Sequence, residues 1–215
     1  SRMLSDQELL IFHQSVDGVR RMAARSLGEL ADAGRAVDFV ANLHRGLDQV
    51  AARAAELGPV ADCRAGCAYC CHVRVEATDP EIFHIARRVG QWPAAQLADL
   101  LAKLRGCVAE QRAGFGDTRQ ACAFLVNDRC SIYEVRPASC RKAHSVSVKQ
   151  CETFAPEITQ NLKLLVDAEA LMAGTAAAYR QVGLPASPRE LLAAVLAALT
   201  DASAEVRWYR GEAVL

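Results

Sequence analysis

Residues 63–72 read CRAGCAYCCH and place four cysteines and a histidine within ten positions of a 215-residue chain. A further group of cysteines follows downstream: Cys122, Cys130, Cys140 and Cys151. Cysteines separated by two or three residues suit metal chelation, because a tight turn can direct both sulfurs at one point. The first stretch is therefore predicted to nucleate a metal site that the later cysteines complete, and we expect the fold to be organised around it.

Cys70 and Cys71 are adjacent in this stretch. Neighbouring side chains in an extended or turn conformation point in different directions, so the two thiols together are not expected to be terminal ligands of one small ion. A multi-iron cluster, or two metal centres, accommodates such a pair more easily. The pair therefore favours iron–sulfur chemistry over a single zinc ion.

The second half of the site has its own pattern around Pro137 and Cys140. Proline fixes the start of a turn or short helix, and Cys140 follows three residues later, where backbone N–H groups lower the pKa of a thiol. Arg136, Arg141 and Lys142 add positive charge beside it. An anionic thiolate cluster is stabilised by such neighbours.

Three other residues near the cysteines have simpler interpretations. His72 and His144 follow cluster cysteines and are expected to support the site from outside rather than to ligate metal. Cys107 lies between Leu104 and Val108 on a predicted helix and is assigned to packing. A nucleophilic pair of Cys140 and His144 is an alternative that the chelating setting disfavours.

The sequence outside the cysteine-rich part is helical. Ser5 and Glu8 form a capping-box pattern at the start of a helix predicted over residues 5–31. Apolar residues then repeat at steps of three and four from Val40 to Leu57. The short link between the two helices predicts an antiparallel helical hairpin over residues 1–59.

Further helices are predicted on both sides of a long irregular segment. Their expected bounds are a helix starting at Asp79-Pro80-Glu81, one from Trp92-Pro93 to about Gln111, one from Pro156-Glu157 to about Gly183, and one that follows a capping box at Ser187–Glu190. From Gly114 to Cys151 the helical periodicity is absent, and Asn127-Asp128 is suited to turn one short β-hairpin. A loop of this length needs something to hold it, and metal–thiolate bonds would do so.

These patterns together predict a mainly α fold. A helical domain encloses an irregular cysteine-rich central metal-binding region at residues 60–155, and the C-terminal helices occupy residues 156–215. A chain of this length is expected to form one compact domain. A β contribution beyond one short hairpin is not predicted.

Composition limits the classes of partner. Lys plus Arg balances Asp plus Glu at 25 each, which gives no footprint for nucleic acid or for an anionic membrane. No apolar run reaches the 18 residues of a membrane span, so no membrane is expected as a partner. The absence of a signal peptide in the first thirty residues predicts a cytoplasmic, reducing location, where nine cysteines are more often metal ligands than disulfides.

The spacing Cys63-x3-Cys67-x2-Cys70-Cys71, followed by CSIYEVRPASCR at residues 130–141, resembles the YkgJ-type cysteine-cluster family of zinc- or iron-chelating domains. The resemblance covers about residues 60–151. It implies a metal site built from the cysteines, with Tyr133, Arg136 and Pro137 as framing residues. A similar cysteine set occurs in flagellin lysine N-methylases, where the implied cofactor is an iron–sulfur cluster. Two features depart from the pattern: three residues separate the first two cysteines, and Tyr69 precedes the pair.

The leading hypothesis is an iron–sulfur protein, with a 4Fe-4S cluster, serving redox chemistry, sensing or a cluster-assisted reaction. If it is an enzyme, the family analogy suggests methyl transfer. The alternatives are a structural zinc module that binds a protein partner, and a protein that handles soft metals such as Zn or Cu(I). The predicted ligands are Cys63, Cys67, Cys70, Cys71, Cys122, Cys130, Cys140 and Cys151, and the predicted surrounding residues are Tyr133, Arg136, Arg141, His72 and His144.

Overall fold

The computed structural model describes residues 5–30, 32–64, 66–113 and 119–215, and it confirms a mainly α fold. The α-helices are α1 (Asp6–Gly28), α2 (Ala33–Asp38), α3 (Val40–Leu57), α4 (Asp79–Gly90), α5 (Ala94–Arg112), α6 (Ala138–Lys142), α7 (Val148–Glu152), α8 (Leu162–Gln181), α9 (Leu191–Thr200) and α10 (Ala204–Tyr209). The strands are β1 (Glu76–Thr78), β2 (Leu125–Val126), β3 (Arg129–Cys130) and β4 (Pro188–Glu190). Two 3-10 helices cover Tyr69–His72 and Tyr133–Val135. In the part of the chain that the structure describes, no helix is long and apolar enough to cross a membrane.

The N-terminal helices begin largely as predicted. Ser5 and Glu8 form the capping box of α1, and α3 spans Val40–Leu57 before Gly58. The segment between them differs from the prediction, because Asp32 accepts a hydrogen bond from the Arg35 N–H and starts the short helix α2. Helix α1 ends at Gly28, and the predicted end at residue 31 lies outside the described residues. The segment predicted to be a plain link therefore contains a second helix.

The main packing partner of α1 is α8, so the predicted antiparallel pairing of α1 with α3 is wrong as the main contact. Gly174 on α8 is the reason that the two helices can approach closely. A Cβ atom at this position would lie 2.6 Å from Val19 Cβ and 2.7 Å from the Val16 carbonyl oxygen. Helix α3 packs on α8 as well, so α8 lies between the two N-terminal helices.

A pairing of β1 with β4 joins distant parts of the chain and was not predicted. The strands are antiparallel, with Glu76 opposite Glu190. Thr78, rather than Asp79, is the N-cap of α4, with Glu81 completing its capping box. Glu190, rather than Ser187, caps α9 by accepting from the Ala193 N–H at 2.7 Å. Both predicted helices are therefore present, but their caps are shifted. The cap of α4 lies one residue before the predicted Asp79, and the cap of α9 lies three residues after the predicted Ser187.

The helices that flank the cysteine-rich region share one apolar core. It is formed by residues of α4, α5, the β2–β3 hairpin and α9, including Ile82, Ile85, Val89, Leu104, Phe124, Ile132, Leu192 and Val195. A second cluster surrounds the buried Trp208 and Tyr179, and a third joins α3 to the start of α8. Partly buried Cys122 and Cys130 pack against the first core, which places the cysteine-rich loop directly on the helical scaffold.

Candidate metal centre

The adjacent cysteines lie on the 3-10 helix Tyr69–His72. The turn is closed by a hydrogen bond from the Cys71 N–H to the Ala68 carbonyl oxygen at 2.9 Å. The Cys71 thiol donates to the Cys70 sulfur, which lowers the pKa of Cys70 to about 6 and raises the pKa of Cys71. The two thiols therefore act on each other's pKa within one turn.

The second half of the cysteine-rich region reaches this turn through the backbone. The Cys122 N–H donates to the Cys71 carbonyl oxygen at 2.8 Å. The predicted hairpin follows, with Leu125 opposite Cys130 and with positive φ values of 50° at Asn127 and 58° at Asp128. Both residues tolerate this left-handed conformation, which a two-residue hairpin loop requires. The prediction of a hairpin at Asn127-Asp128 is therefore confirmed.

Two backbone N–H groups point at sulfur atoms of this hairpin. The N–H groups of Phe124 and Ile132 donate to the thiols of Cys122 and Cys130, two residues before each donor. Burial raises the pKa of Cys122 to about 11, and burial also raises the pKa of Cys130. Such N–H donors stabilise thiolates once a metal has replaced the thiol protons.

Cys140 approaches from a short helix, as predicted. Pro137 is the N-cap of α6, and Cys140 is its third residue. The predicted lowering of its pKa by backbone N–H groups is wrong: burial raises the pKa of Cys140 to about 12, and the neighbouring thiols Cys122, Cys70 and Cys130 add to the effect. We call Cys71, Cys122, Cys130 and Cys140 the inner set, because the charge of Cys130 acts to raise the pKa of each of the other three.

The other four predicted ligands form what we call the outer set: Cys63, Cys67, Cys70 and Cys151. Burial raises the pKa of Cys63, and the charges of the other three act in the same direction. The Ser145 N–H donates to the Cys63 sulfur at 3.4 Å. Cys70 also acts on Cys140 and Cys130 of the inner set, so the Cys70–Cys71 pair is where the two sets meet.

Cys151 is brought to the outer set by the short helix α7, which packs against the 3-10 helix Tyr69–His72. The Val148 N–H donates to an Asp62 carboxylate oxygen at 2.9 Å, next to Cys63. The Tyr69 hydroxyl donates to Glu152 at 3.3 Å. Side-chain contacts therefore join both ends of the outer set across more than eighty positions of sequence.

The donor set fits zinc or iron, because every predicted ligand is a free thiol. Within residues 5–30, 32–64, 66–113 and 119–215, no three His, Cys, Asp or Glu side chains already stand where they could hold one metal ion. Metal binding would therefore require the thiols to turn toward a common point. A cysteine side chain does this by rotation about a single bond, without movement of the backbone.

The predicted surrounding residues have different surroundings. The Arg136 guanidinium lies 3.6 Å from the centre of the Tyr133 ring, and its charge acts to lower the pKa of Cys70, Cys130 and Cys140. Arg141 is directed away from the thiols: it donates to both Asp48 carboxylate oxygens at 3.0 and 3.1 Å. Arg136 is thus the electrostatic neighbour of the cysteines, whereas Arg141 ties their segment to α3.

The two histidines differ in how their ring nitrogens are engaged. His144 Nε2 accepts from the Asn161 N–H at 2.7 Å, so its proton is on Nδ1, which donates to the Lys142 carbonyl oxygen at 2.7 Å. Both ring nitrogens are thus engaged in hydrogen bonds. His72 Nδ1 donates to the Ala68 carbonyl oxygen at 3.1 Å, within its own turn. Both residues are hydrogen-bonded to backbone beside cysteines, and their role in supporting the site stays a prediction.

Sequence reasoning missed two polar residues that shape the region. Asn161 donates to the carbonyl oxygens of Ala54 and Pro59, both at 3.0 Å, and caps α8 through the Leu164 N–H. This helix begins at Leu162 rather than at Pro156, so the predicted start is wrong by six residues. Glu81 is the other residue, and it reaches the Cys140 segment. An Asn followed by an apolar helical repeat is a usual N-cap signal and could have identified Asn161.

The assignment of Cys107 to packing is confirmed. It lies on α5, is partly buried and packs against the core shared by α4, α5 and α9. Its sulfur lies 4.0 Å from the Ala121 carbonyl oxygen, and burial raises the pKa of its thiol. It thus belongs to neither set of four.

Comparison with known protein families agrees with this arrangement. Residues 62–161 match a family model described as "CxxCxxCC: Putative zinc- or iron-chelating domain". No curated protein and no solved structure matches the chain. The matched range contains the inner and outer sets together with the turns and short helices that carry them. The resemblance inferred from the cysteine spacing is thereby confirmed: residues 62–161 match the CxxCxxCC cysteine-cluster family, whose model is described as a zinc- or iron-chelating domain.

Proposed function

We propose that this protein is an iron–sulfur protein whose cluster is bound by thiols from both halves of the cysteine-rich region. The observation that carries the proposal is the placement of Cys70 and Cys71 at consecutive positions of one 3-10 helix, at the meeting point of the inner and outer sets. Two such adjacent thiols can serve different irons of one cluster, or two separate centres. A single tetrahedral zinc ion uses such a pair less easily.

The surroundings support an anionic centre. Backbone N–H groups already donate to Cys63, Cys122 and Cys130, and the charge of Arg136 acts on Cys70 and Cys130. Hydrogen bonds and nearby positive charge are what set the reduction potential of an iron–sulfur cluster. A bound cluster would supply one-electron chemistry, which suits electron transfer, sensing or a cluster-assisted reaction. A 4Fe-4S cluster takes four thiolates, and either set provides that number.

The test is metal and sulfide analysis after anaerobic purification, with visible spectra. Wild type is expected to be brown, with iron and acid-labile sulfide in equal amounts. The variants C70S and C71S should lose most of both, whereas C107S should match wild type, because Cys107 packs in the core and belongs to neither set. Folded wild-type protein that holds no iron and no sulfide after reconstitution would refute the proposal.

A structural zinc site is the second candidate, and one observation favours it. Cys122 and Cys130 of the inner set are partly buried against the helical core, and the N–H groups two residues after each act to lower the pKa of its thiol. Structural zinc sites are likewise closed to solvent and built from four thiolates. One or two tightly held zinc ions without sulfide would establish this alternative. Fast exchange of several ions with chelators would instead indicate handling of soft metals.

A further inference from the structure

Glu81 is a buried carboxylate on α4 that lies far from the cysteines in sequence. It is only 3% exposed. A buried carboxylate is costly unless its oxygens accept hydrogen bonds. Oε2 accepts from the Thr78 N–H at 2.9 Å and from the Thr78 hydroxyl at 2.8 Å. These bonds form the capping box of α4 and use one oxygen only.

The other oxygen reaches the second half of the metal-chelating domain. Oε1 accepts from the Ala138 N–H at 2.7 Å, and this bond is buried. Ala138 is the first residue of α6, and Cys140 is the third. The first N–H groups of a helix have no acceptor within the helix, so an outside acceptor decides where the helix starts. Glu81 provides that acceptor for the helix that carries Cys140.

A second contact at the next residue fixes the same segment. The Ser139 hydroxyl donates to the Glu76 carbonyl oxygen on β1 at 2.7 Å. The start of α6 is therefore attached to α4 through Glu81 and to β1 through Ser139. Both attachments come from elements of the helical scaffold rather than from the cysteine-rich loop.

We propose that Glu81 is a positioning residue for the metal centre: its carboxylate holds the start of α6 and thereby fixes the place of Cys140 relative to Cys122 and Cys130. This rests on the proposed function, in which Cys140 is a ligand. Glu81 acts through the backbone and does not touch metal. The carboxylate cannot be replaced by an amide without loss, because a glutamine NH2 would face either the Ala138 N–H or the Thr78 N–H, which are both donors.

A matched control lies two residues away on the same helix. Asp79 is fully buried, and its carboxylate accepts from the Ser187 N–H at 2.6 Å and from Arg189 Nε at 3.2 Å. These partners belong to the C-terminal part of the chain. D79N and E81Q therefore remove one buried charge each from α4, but only E81Q alters a side chain that is hydrogen-bonded to the Cys140 segment.

The experiment compares Zn²⁺ affinity by chelator competition, iron and sulfide content after anaerobic reconstitution, and alkylation of each cysteine by mass spectrometry. E81Q is expected to bind Zn²⁺ at least about tenfold more weakly than wild type. A tenfold loss of affinity is the smaller end of the range found when residues that orient metal ligands are replaced. Cys140 should become more readily alkylated in E81Q than in wild type. D79N should lose thermal stability but keep wild-type affinity and protection of Cys140. Equal losses of affinity in both variants, or no loss in E81Q, would overturn the proposal.

Two further arms keep the test decisive. If E81Q does not fold, E81D replaces it. Its carboxylate lies one CH2 group closer to the backbone, so weaker Zn²⁺ binding and faster alkylation of Cys140 are expected, and wild-type behaviour of E81D would refute the proposal. Alkylation of the metal-free protein separates the two proposals. If wild type takes up no metal, the proposed function fails, while faster alkylation of Cys140 in metal-free E81Q would still support its positioning by Glu81.

Discussion

The close approach of α1 and α8 at Gly174 predicts a strong penalty for the smallest possible substitution. In G174A the added Cβ atom would lie 2.6 Å from Val19 Cβ and 2.7 Å from the Val16 carbonyl oxygen. Ordinary contacts of this kind begin near 3.4 Å, and one of the two obstacles is backbone. The helices must therefore separate along the largest helix–helix contact of the fold.

The magnitude follows from two opposing effects. Alanine in place of glycine inside a helix favours folding by about 1 kcal/mol. Overpacking of a close interface costs about 1–3 kcal/mol. G46A is the matched control, because Gly46 also faces α8, but its Cβ would meet only the flexible end of Leu171 at 3.4 Å. The difference between the two variants should therefore be close to the full overpacking cost.

Chemical and thermal unfolding of the two variants and wild type provide the measurement. For a domain of this size, 1 kcal/mol corresponds to about 2–4 °C in Tm. We expect G46A at or above the wild-type Tm and G174A below it, with unchanged metal content in both, because the contact is remote from the cysteines. A G174A variant as stable as G46A would show that α1 does not approach α8 at this residue, and the packing argument would fail.

Three further predictions concern the cysteine-rich domain and its attachments. Burial alone would raise the pKa of Glu81, but His44, whose Nε2 lies 3.9 Å from Oε1, and hydrogen bonds from Ala138 and Thr78 outweigh it and leave the pKa below its usual range. The charged form therefore stabilises the fold at pH values above the pKa of an unfolded Glu, about 4.3, and this stabilisation is lost as the pH falls through the lower pKa of the folded state. In urea unfolding, the difference in free energy of unfolding between wild type and E81Q should therefore become smaller below about pH 4. N161D keeps the cap of α8 but removes the NH2 group that donates to two carbonyl oxygens. The free energy of unfolding in urea should therefore fall by about 2 kcal/mol or more. A decrease below about 0.5 kcal/mol would contradict the assigned hydrogen bonds. After removal of metal by chelation, protease should cleave residues 119–155 before the α1–α8 pair, because metal binding stabilises only the part of the chain that it holds together. Mass spectrometry of the fragments gives the order of cleavage, and uniform cleavage would contradict a local effect of the metal.

The sequence was most informative where one local signal acted alone. The capping box at Ser5, the apolar repeat of α3 and the hairpin at Asn127-Asp128 all appear where local chemistry placed them. The grouping of cysteines into one region was also predictable, because chelating spacing is a local property. None of these inferences needed knowledge of distant contacts.

The errors arose where two signals competed or where a partner lay far along the chain. Asp79 and Ser187 are good N-cap residues, yet Asp79 is instead a buried acceptor for the Ser187 N–H, and neighbouring residues cap the helices. The pairing of β1 with β4 and the contact of Glu81 with Ala138 depend on tertiary packing. Gly174 likewise gives no local sign that it permits the approach of α1.

The sharing of one apolar core by α4, α5 and α9 bears on how far the metal-chelating domain can be treated as a module. The matched segment ends at residue 161, whereas α9 begins at Leu191 and β4 at Pro188. A fragment of residues 62–161 would lose the helix that covers Ile85 and Val89 and the strand that pairs with β1. Such a fragment should aggregate through its uncovered face even when loaded with metal. The boundary defined by sequence similarity therefore divides the apolar core that α4, α5 and α9 share. Transfer of the cysteine-rich segment into another protein would require that α9 be transferred as well.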